Sequence, residues 1–431
     1  MTPVLFKSRH FVLLFLGQGV SRLGDGLYNA YAAWLAWSLT HNTEAVAFIA
    51  TAAYAPTFLG TVVGASYADR YDRRRLMIGT DVVRAILTLL CAVLQWTDLM
   101  TYPLLVAAVA LIGTVGAPFA PARNALVPQI VPKNRLLEAN SLLQASFTSA
   151  YFVGPLLLLP LLAFTSSGWA FAVNTVTFVV SAVTLAALRF PVALRPKRPI
   201  GLRADLLEGW AVLRSAPEVL VVIGTFMLAI LVASGFLSVG IIRLVDERLG
   251  GGGGTYGLLL GIAGVSEIAG AMVFARIPMR RLALVAVLAW ALLGVFRFPL
   301  GLASSVEVAG PLLALTGFAS ALTDIPLVSL IQHRINDRHL AKALGLWEAA
   351  IAGAAAVAPF VASAIIARVG VTQGFMLSGI ALVFLSIIAT LVITRLTMTR
   401  PPHATTSPDL SVTGAQKETP PTAGPNGEVS I

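Results

Sequence analysis

Asp25 lies about fourteen residues into a long apolar run, and Arg22 stands three residues before it. Helical spacing would put the two on one face. A charge at the middle of a bilayer costs about 2.5–3.5 kcal/mol or more, so it faces a cavity or a partner. Two readings follow: a structural ion pair with Arg22, or a carboxyl that carries a proton. Burial favours the neutral acid and a neighbouring cation favours the carboxylate. Glu267 raises the same alternatives in a later apolar run. Arg297 is placed to pair with Glu267 or to attract an anionic solute. Asp324 falls near the end of its run, where a structural partner is expected, and Asp81 and Arg84 lie where they would brace the preceding loop.

Other chemistry is missing. No Ser–His–Asp, HExxH or carboxylate-pair spacing falls at one membrane depth, and the five histidines have no metal-site spacing. The glycine run Gly250–Gly254 lacks the Lys-Ser/Thr of a phosphate-binding loop, so it gives nucleotide-driven pumping no support and is read as a flexible external loop. Cys91, the single cysteine, sits in an apolar run as packing. The chain is read as a non-enzyme without metal or cofactor.

These residues sit among elements that only lipid can solvate. Of the 431 residues 57% are hydrophobic and 12% charged, whereas soluble domains carry about 25% charged residues. Runs near the 20 residues that span a bilayer fall at 11–39, 44–67, 76–96, 102–121, 138–163, 168–189, 218–245, 255–276, 282–303, 307–331, 343–368 and 371–396. The first is too long for a signal-peptide core, and no small-residue cleavage site follows it. The expectation is an all-α membrane protein with twelve transmembrane helices.

The net charge of +10 does not point to nucleic acid, because 24 of the 30 basic residues would fall on the side of the N-terminus, in short loops. Lysine and arginine hold such loops in the cytoplasm, so both termini are expected there, with the protein in the cell membrane. Residues 190–217 form the longest internal polar stretch. Within it Leu202, Leu206, Trp210 and Leu213 recur at helical spacing, predicting an amphipathic helix on the membrane surface. The stretch separates an N-terminal half, 1–189, from a C-terminal half, 218–396. Residues 397–431 form the tail, Pro-, Thr-, Ser- and Gly-rich beyond 400 and expected to be disordered. Ala139 precedes Pro155 by sixteen residues and Ala343 precedes Pro359 by sixteen, the pairs being offset by 204. That is the mark of a duplicated six-helix unit and of two pseudo-symmetric halves.

The loop after the second run reads GASYADRYDRRRLM. It resembles the signature G-x-L-A-D-R-x-G-R-R of the major facilitator superfamily, with Asp69, Arg70, Arg73 and Arg74 at the acidic and basic positions and Ala65 and Asp72 in place of glycines. The resemblance implies a cytoplasmic gate. In that family the aspartate faces the N-terminus of the eleventh helix, where a carboxylate is favoured. Gly154 and Pro155 match part of the exporters' fifth-helix motif, while Ala150, Leu158 and Leu159 replace its other glycines. The segments LGQGVSRLGDGLY and APFAPARNALVPQIVPKNRLLEANSL look like the enterobactin-exporter-like and macrolide-efflux-like branch.

Aromatics gather near the charges: Tyr28 and Tyr31 flank the Asp25 face, and Tyr54, Phe147 and Tyr151 occupy the second and fifth runs. They face lipid or line a cavity for a partly apolar solute. The leading expectation is a monomeric, proton-coupled exporter of a siderophore, drug or natural product. The alternatives are an uncoupled or symport transporter of the same fold and, remotely, a membrane enzyme or scaffold. The charge asymmetry predicts that a tag in residues 401–431 is protected from protease added to intact cells; digestion from outside would reverse the orientation.

Overall fold

The computed structural model describes residues 4–68, 72–132, 135–164, 168–188, 210–211, 214, 217–274, 282–335 and 337–398. Among them are helices and turns and no strand. In chain order these are α1 (Arg9–Thr40), α2 (Thr43–Ala68), α3 (Arg73–Trp96), α4 (Tyr102–Gly116), α5 (Phe119–Ile130), α6 (Leu136–Val153), a 3₁₀ turn (Gly154–Leu157), α7 (Leu158–Phe164), α8 (Trp169–Ala186), α9 (Pro217–Gly235), α10 (Ile241–Leu244), α11 (Gly253–Phe274), α12 (Leu282–Leu300), α13 (Val306–Arg334) and α14 (Asp337–Met398). Eight segments of the described residues are long and apolar enough to cross a bilayer. One of them contains Gly370, where φ is 80° and the helical path breaks into two. Large apolar side chains are exposed on outward faces, including Ile86 and Leu90 of α3, Val179 and Val183 of α8 and Phe384 and Leu391 of α14. Lipid is the solvent for such faces. The protein is an all-α, multi-pass membrane protein.

Local chemistry sets several boundaries that differ from the expected ones. Asp72 caps α3 by accepting from the backbone N–H groups of Arg74 (3.0 Å) and Arg75 (3.3 Å), so the helix begins at Arg73 rather than 76. The residues expected to be loop after 121 continue as α5, because the break at Ala117 and Pro118 is followed by a new helical start at Phe119. The glycine run is mostly not loop. Gly250 ends the preceding helix at φ 63°, a conformation glycine adopts without steric cost, and Gly253 and Gly254 open α11. Between α9 and α10, and again after α10, the chain forms π turns at Phe236–Gly240 and Val245–Leu249. Residues 189–209, most of the expected surface helix, and residues 399–431 lie outside the described residues.

Close crossings rest on small residues, as expected where apolar lipid gives helices no hydrophobic reason to associate. Gly17 and Gly24 bring α1 against Thr184, Asn174 and Thr177 of α8. Gly294 and Gly379 meet backbone to backbone between α12 and α14. Gly154 lies on the backbone of α1 at Leu23–Leu27, and Gly257 of α11 lies on the carbonyl of Pro155. The 3₁₀ turn therefore touches α1 on one side and α11, from the other half, on the other.

The apolar core divides in an uneven way. One cluster joins the halves at the face where α1 turns into α2: Leu27, Tyr31 and Trp37 are in it with Val46, Phe171, Phe236, Val245, Tyr256, Ala362 and Phe375. Toward the N-terminal face two clusters take over, each confined to one half. One contains Phe11, Met77, Leu126 and Leu185, the other Val222, Trp290, Leu330 and Trp347. Cross-half contacts of the described residues follow the shared cluster. Ser363 Oγ donates to Thr43 Oγ1 at 2.7 Å, Thr51 Oγ1 to the Ala356 carbonyl at 2.7 Å, and Trp34 stacks on Tyr256 with centroids 6.2 Å apart. Arg243 sits over the Trp37 ring at 5.3 Å and pairs with Glu247 on its own helical segment.

The Gly154 crossing gives a direct test. Gly154→Val places a side chain inside the space of the Leu23 carbonyl. Overpacking of this kind costs about 1–3 kcal/mol. A clear fall in the thermal unfolding midpoint of the purified protein is expected; an unchanged midpoint would show that the crossing is loose.

Candidate functional site

The ionisable residues of the N-terminal half meet between α1, α3 and α8. Asp25 is 6% exposed. Its Oδ1 accepts from Arg84 Nη2 at 2.9 Å and its Oδ2 lies 3.5 Å from Arg22 Nη1. Arg22 and Asp25 share a face of α1 through their i,i+3 spacing, whereas Arg84 arrives from α3, 59 residues away in sequence. Arg84 also sits over the Phe178 ring of α8 at 4.0 Å, a contact that stabilises a cation where water is scarce. Arg84 therefore holds Asp25 rather than bracing the loop before α3.

Asp81 was likewise expected to brace that loop, and it too turns inward. It is 0% exposed. Ser181 donates to its Oδ2 at 2.6 Å and accepts in turn from Gln18 Nε2 at 2.9 Å, while Asp81 Oδ1 has no hydrogen-bond partner. The spacing of Asp81 and Arg84, three residues apart on one helix, was the available signal for a shared polar face. What it lacked was Ser181, which comes from α8. Nearer the helix ends, Arg74 donates to the carbonyls of Leu185 (2.8 Å) and Ala186 (2.5 Å) at the end of α8, a favourable place for a cation. Arg74 thus ties α3 to its own half. Asp69 and Arg70 lie outside the described residues, and the side chain of Arg73 is half-buried.

Two cavities adjoin this cluster. The smaller, about 270 Å³, is walled by Gln18, Arg22, Asp25, Tyr28 and Arg84 together with Ile112 and Gly116. The larger, about 340 Å³, lies between the halves. Its walls come from α1 (Asn29, Ala33), α2 (Ile49, Ala53), the fifth-run elements (Phe152, Pro155), the α9 region (Ser234, Leu237), α11 (Tyr256, Leu260, Glu267), α12 (Leu293, Arg297), α13 (Thr316, Ser320) and α14 (Ala355, Pro359). Asn29 and Ala53 border both cavities, and Asn29 Nδ2 donates to the Asp25 carbonyl at 2.8 Å. The repeat-related prolines Pro155 and Pro359 both line the central cavity, one from each half.

The expected site residues are thereby sorted. Asp25, Arg22, Arg84 and Tyr28 surround the smaller cavity; Glu267, Arg297 and Pro155 line the larger one. Tyr31 instead packs edge-on against Phe171 at 5.1 Å within the shared core. Arg297 and Glu267, expected as a possible pair, share the cavity wall, but no ion pair joins them among the described residues. The side chains of Tyr54, Phe147, Tyr151 and Asp324 lie outside the described residues. Sequence reasoning missed Phe152 and Tyr256, the aromatics that do line the larger cavity.

Comparison with known proteins gives concordant results. Residues 2–413 match the family described as transmembrane secretion effector. Macrolide efflux protein A of Streptococcus pyogenes is 25% identical over 210 residues, 47% of this chain and 51% of that protein. The chain thus matches about half the length of that relative. YfiS of Bacillus subtilis, an uncharacterized MFS-type transporter, is 23% identical over 399 residues, covering 90% and 94%. The crystal structure of a POT family transporter in complex with a thioalcohol-conjugated peptide superposes with a TM-score of 0.73 at 13% identity, over 91% of this chain and 97% of that one. At that identity the likeness is one of fold.

The Asp25 cluster predicts unequal arginines. Removing one partner of a buried ion pair costs about 3–5 kcal/mol, whereas an exposed pair contributes about 1 kcal/mol or less. The Arg84 side chain is 14% exposed and that of Arg22 is 35%. Arg84→Met should lower the unfolding midpoint markedly and Arg22→Met much less; equal effects would mean that Arg84 is not the principal counter-ion.

Proposed function

We propose that this chain, which belongs to the transmembrane secretion effector family of the major facilitator superfamily, exports a small, partly apolar molecule from the cell by alternating access. The observation that carries this reading is the central cavity, walled by both halves beneath an apolar cluster that both halves share at one face. Rocking the halves would break the shared cluster and close the N-terminal side, passing the solute across without opening both faces at once. On this reading the protein lies in the cell membrane as a monomer with its termini in the cytoplasm. Siderophores, drugs and natural products form the substrate range to test, and efflux is the activity named for Macrolide efflux protein A.

Protons moving inward are the proposed driving force, with Asp25 as carrier and Glu267 as its rival. Arg84 and Arg22 both contact the Asp25 carboxyl, at 2.9 and 3.5 Å. Proton uptake there accordingly requires the Arg84 contact to open, which would couple protonation to a movement of α3 against α1. The Asp69–Arg70–Arg73 loop acts as the cytoplasmic gate in this scheme. The same ion pair also favours a second reading: a structural role for Asp25 in an uncoupled transporter.

Inverted vesicles with an imposed proton gradient distinguish these readings when screened over siderophores and hydrophobic antibiotics. Uphill uptake of at least one compound is expected, lost in Asp25→Asn while downhill exchange persists. Glu267→Gln and Asp81→Asn are measured alongside. Loss of coupling in one of these but not in Asp25→Asn moves the carrier to that residue. Full coupling in all of them overturns proton antiport at these carboxyls, and the absence of gradient-driven uptake of any compound overturns export of this substrate range.

A further inference from the structure

Among the described residues, Arg297 is a buried cation without an ion-pair partner. It is 5% exposed, and it lines the central cavity from α12. Its Nη1 donates to the Ala233 carbonyl at 2.8 Å and to Ser378 Oγ at 3.5 Å, while its Nε has no hydrogen-bond partner. None of the ion pairs among the described residues includes it. Carbonyl and hydroxyl dipoles satisfy some of its donors but do not cancel its charge.

The N-terminal half contains the matching arrangement in completed form. There Arg84, on the third run of its half, reaches across to α1 at Asp25. Arg297, on the third run of its own half, reaches across to α9 at Ala233. Asp25 stands sixteen residues beyond the first residue of α1, and Ala233 stands sixteen beyond the first residue of α9. Each half thus has an arginine on its third run that contacts its first. Where one meets a carboxylate, the other meets the backbone of a residue whose side chain is a methyl group.

A charge inside the membrane is expensive unless paired, and it usually marks the path of a substrate or ion. Here the unpaired charge borders the cavity that both halves enclose. We propose that Arg297 is the anion-binding residue of the central cavity, and that the solute carries a carboxylate, sulfonate or phosphate on an apolar body. The planar guanidinium offers paired donors matched to such groups. Phe152, Leu237, Tyr256, Leu260 and Leu293 supply the apolar walls. A volume of about 340 Å³ lies at the low end of ligand sites, which run from about 300 to 1,000 Å³. This inference rests on the central cavity being the transport site, and it adds the charge of the substrate.

The test uses one fluorophore with three charges: dansylglycine (anionic), dansylglycinamide (neutral) and dansylcadaverine (cationic), titrated by fluorescence anisotropy against the full-length protein in nanodiscs. Dansylglycine should bind at least tenfold more tightly than the other two. Arg297→Gln should remove that preference, and Arg297→Lys should keep part of it. Ala233→Asp is the second variant, because it supplies in the C-terminal half the carboxylate that Asp25 provides in the other. It should abolish the anion preference. The proposal is overturned if the anion is not preferred by the wild type, whether or not the probes bind, or if the preference survives in Ala233→Asp. Binding in nanodiscs needs no transport, so an export assay that succeeds while the anion preference is absent would reject this inference and leave the export reading intact.

Discussion

A charge held inside hydrocarbon must be met by another, and the two halves of this protein meet that requirement differently. In the N-terminal half the Asp25 carboxylate lies between Arg84 and Arg22, with Phe178 beneath the Arg84 guanidinium. Helix positions follow from that contact. The α1–α3 pair must remain in register for a 2.9 Å bond, and α8 must approach closely enough to supply both Phe178 and Ser181. Gly17 and Gly24 make that approach possible by presenting no side chain to α8. The C-terminal half keeps an arginine in the corresponding place but gives it dipoles only.

The two halves of the chain are joined unevenly. The N-terminal half and the C-terminal half share an apolar cluster at one face and keep separate clusters toward the other. Contacts at the shared face are small and mixed: a Thr–Ser hydroxyl pair, a stacked Trp–Tyr pair and a cation over a tryptophan. None of these is a deeply interlocked ion pair between halves. Such contacts can be broken and remade at modest cost. The 3₁₀ turn at Gly154 stands between α1 and α11, so movement of one half would be felt by the other through a backbone contact rather than through flexible side chains.

Much of this was legible in the sequence wherever the cause was local. Apolar run length identified the membrane, and the i,i+3 spacing of Arg22 and Asp25 identified one ion pair. The repeated Ala-to-Pro spacing pointed to Pro155 and Pro359, which line the same cavity. What was hidden depended on residues brought from far away. Arg84 is the closer partner of Asp25, yet nothing near either residue in the chain announces the other. Asp72 occupies a position where the superfamily signature has glycine; its role became plain only when its side chain was found capping α3. Tyr31, expected at the cavity, packs in the core, and Phe152, which was not singled out, lines the cavity, because a helix's rotation about its axis decides which aromatic turns inward, and aromatic content does not report that rotation.

The shared apolar cluster also has an electrical consequence. On α1 it extends from Leu27 to Trp37, about 15 Å of helix at 1.5 Å per residue, against a hydrocarbon thickness of about 30 Å. If the cleft on the other side fills with water, it brings the potential of that compartment to the floor of the cavity. The membrane voltage then falls across the remaining apolar layer, roughly doubling the field there. Moving one elementary charge through the whole drop corresponds to about 2.3 kcal/mol per 100 mV. Most of that work would be done within the few helical turns between Leu27 and Trp37, so the layer that seals the protein also acts as its capacitor.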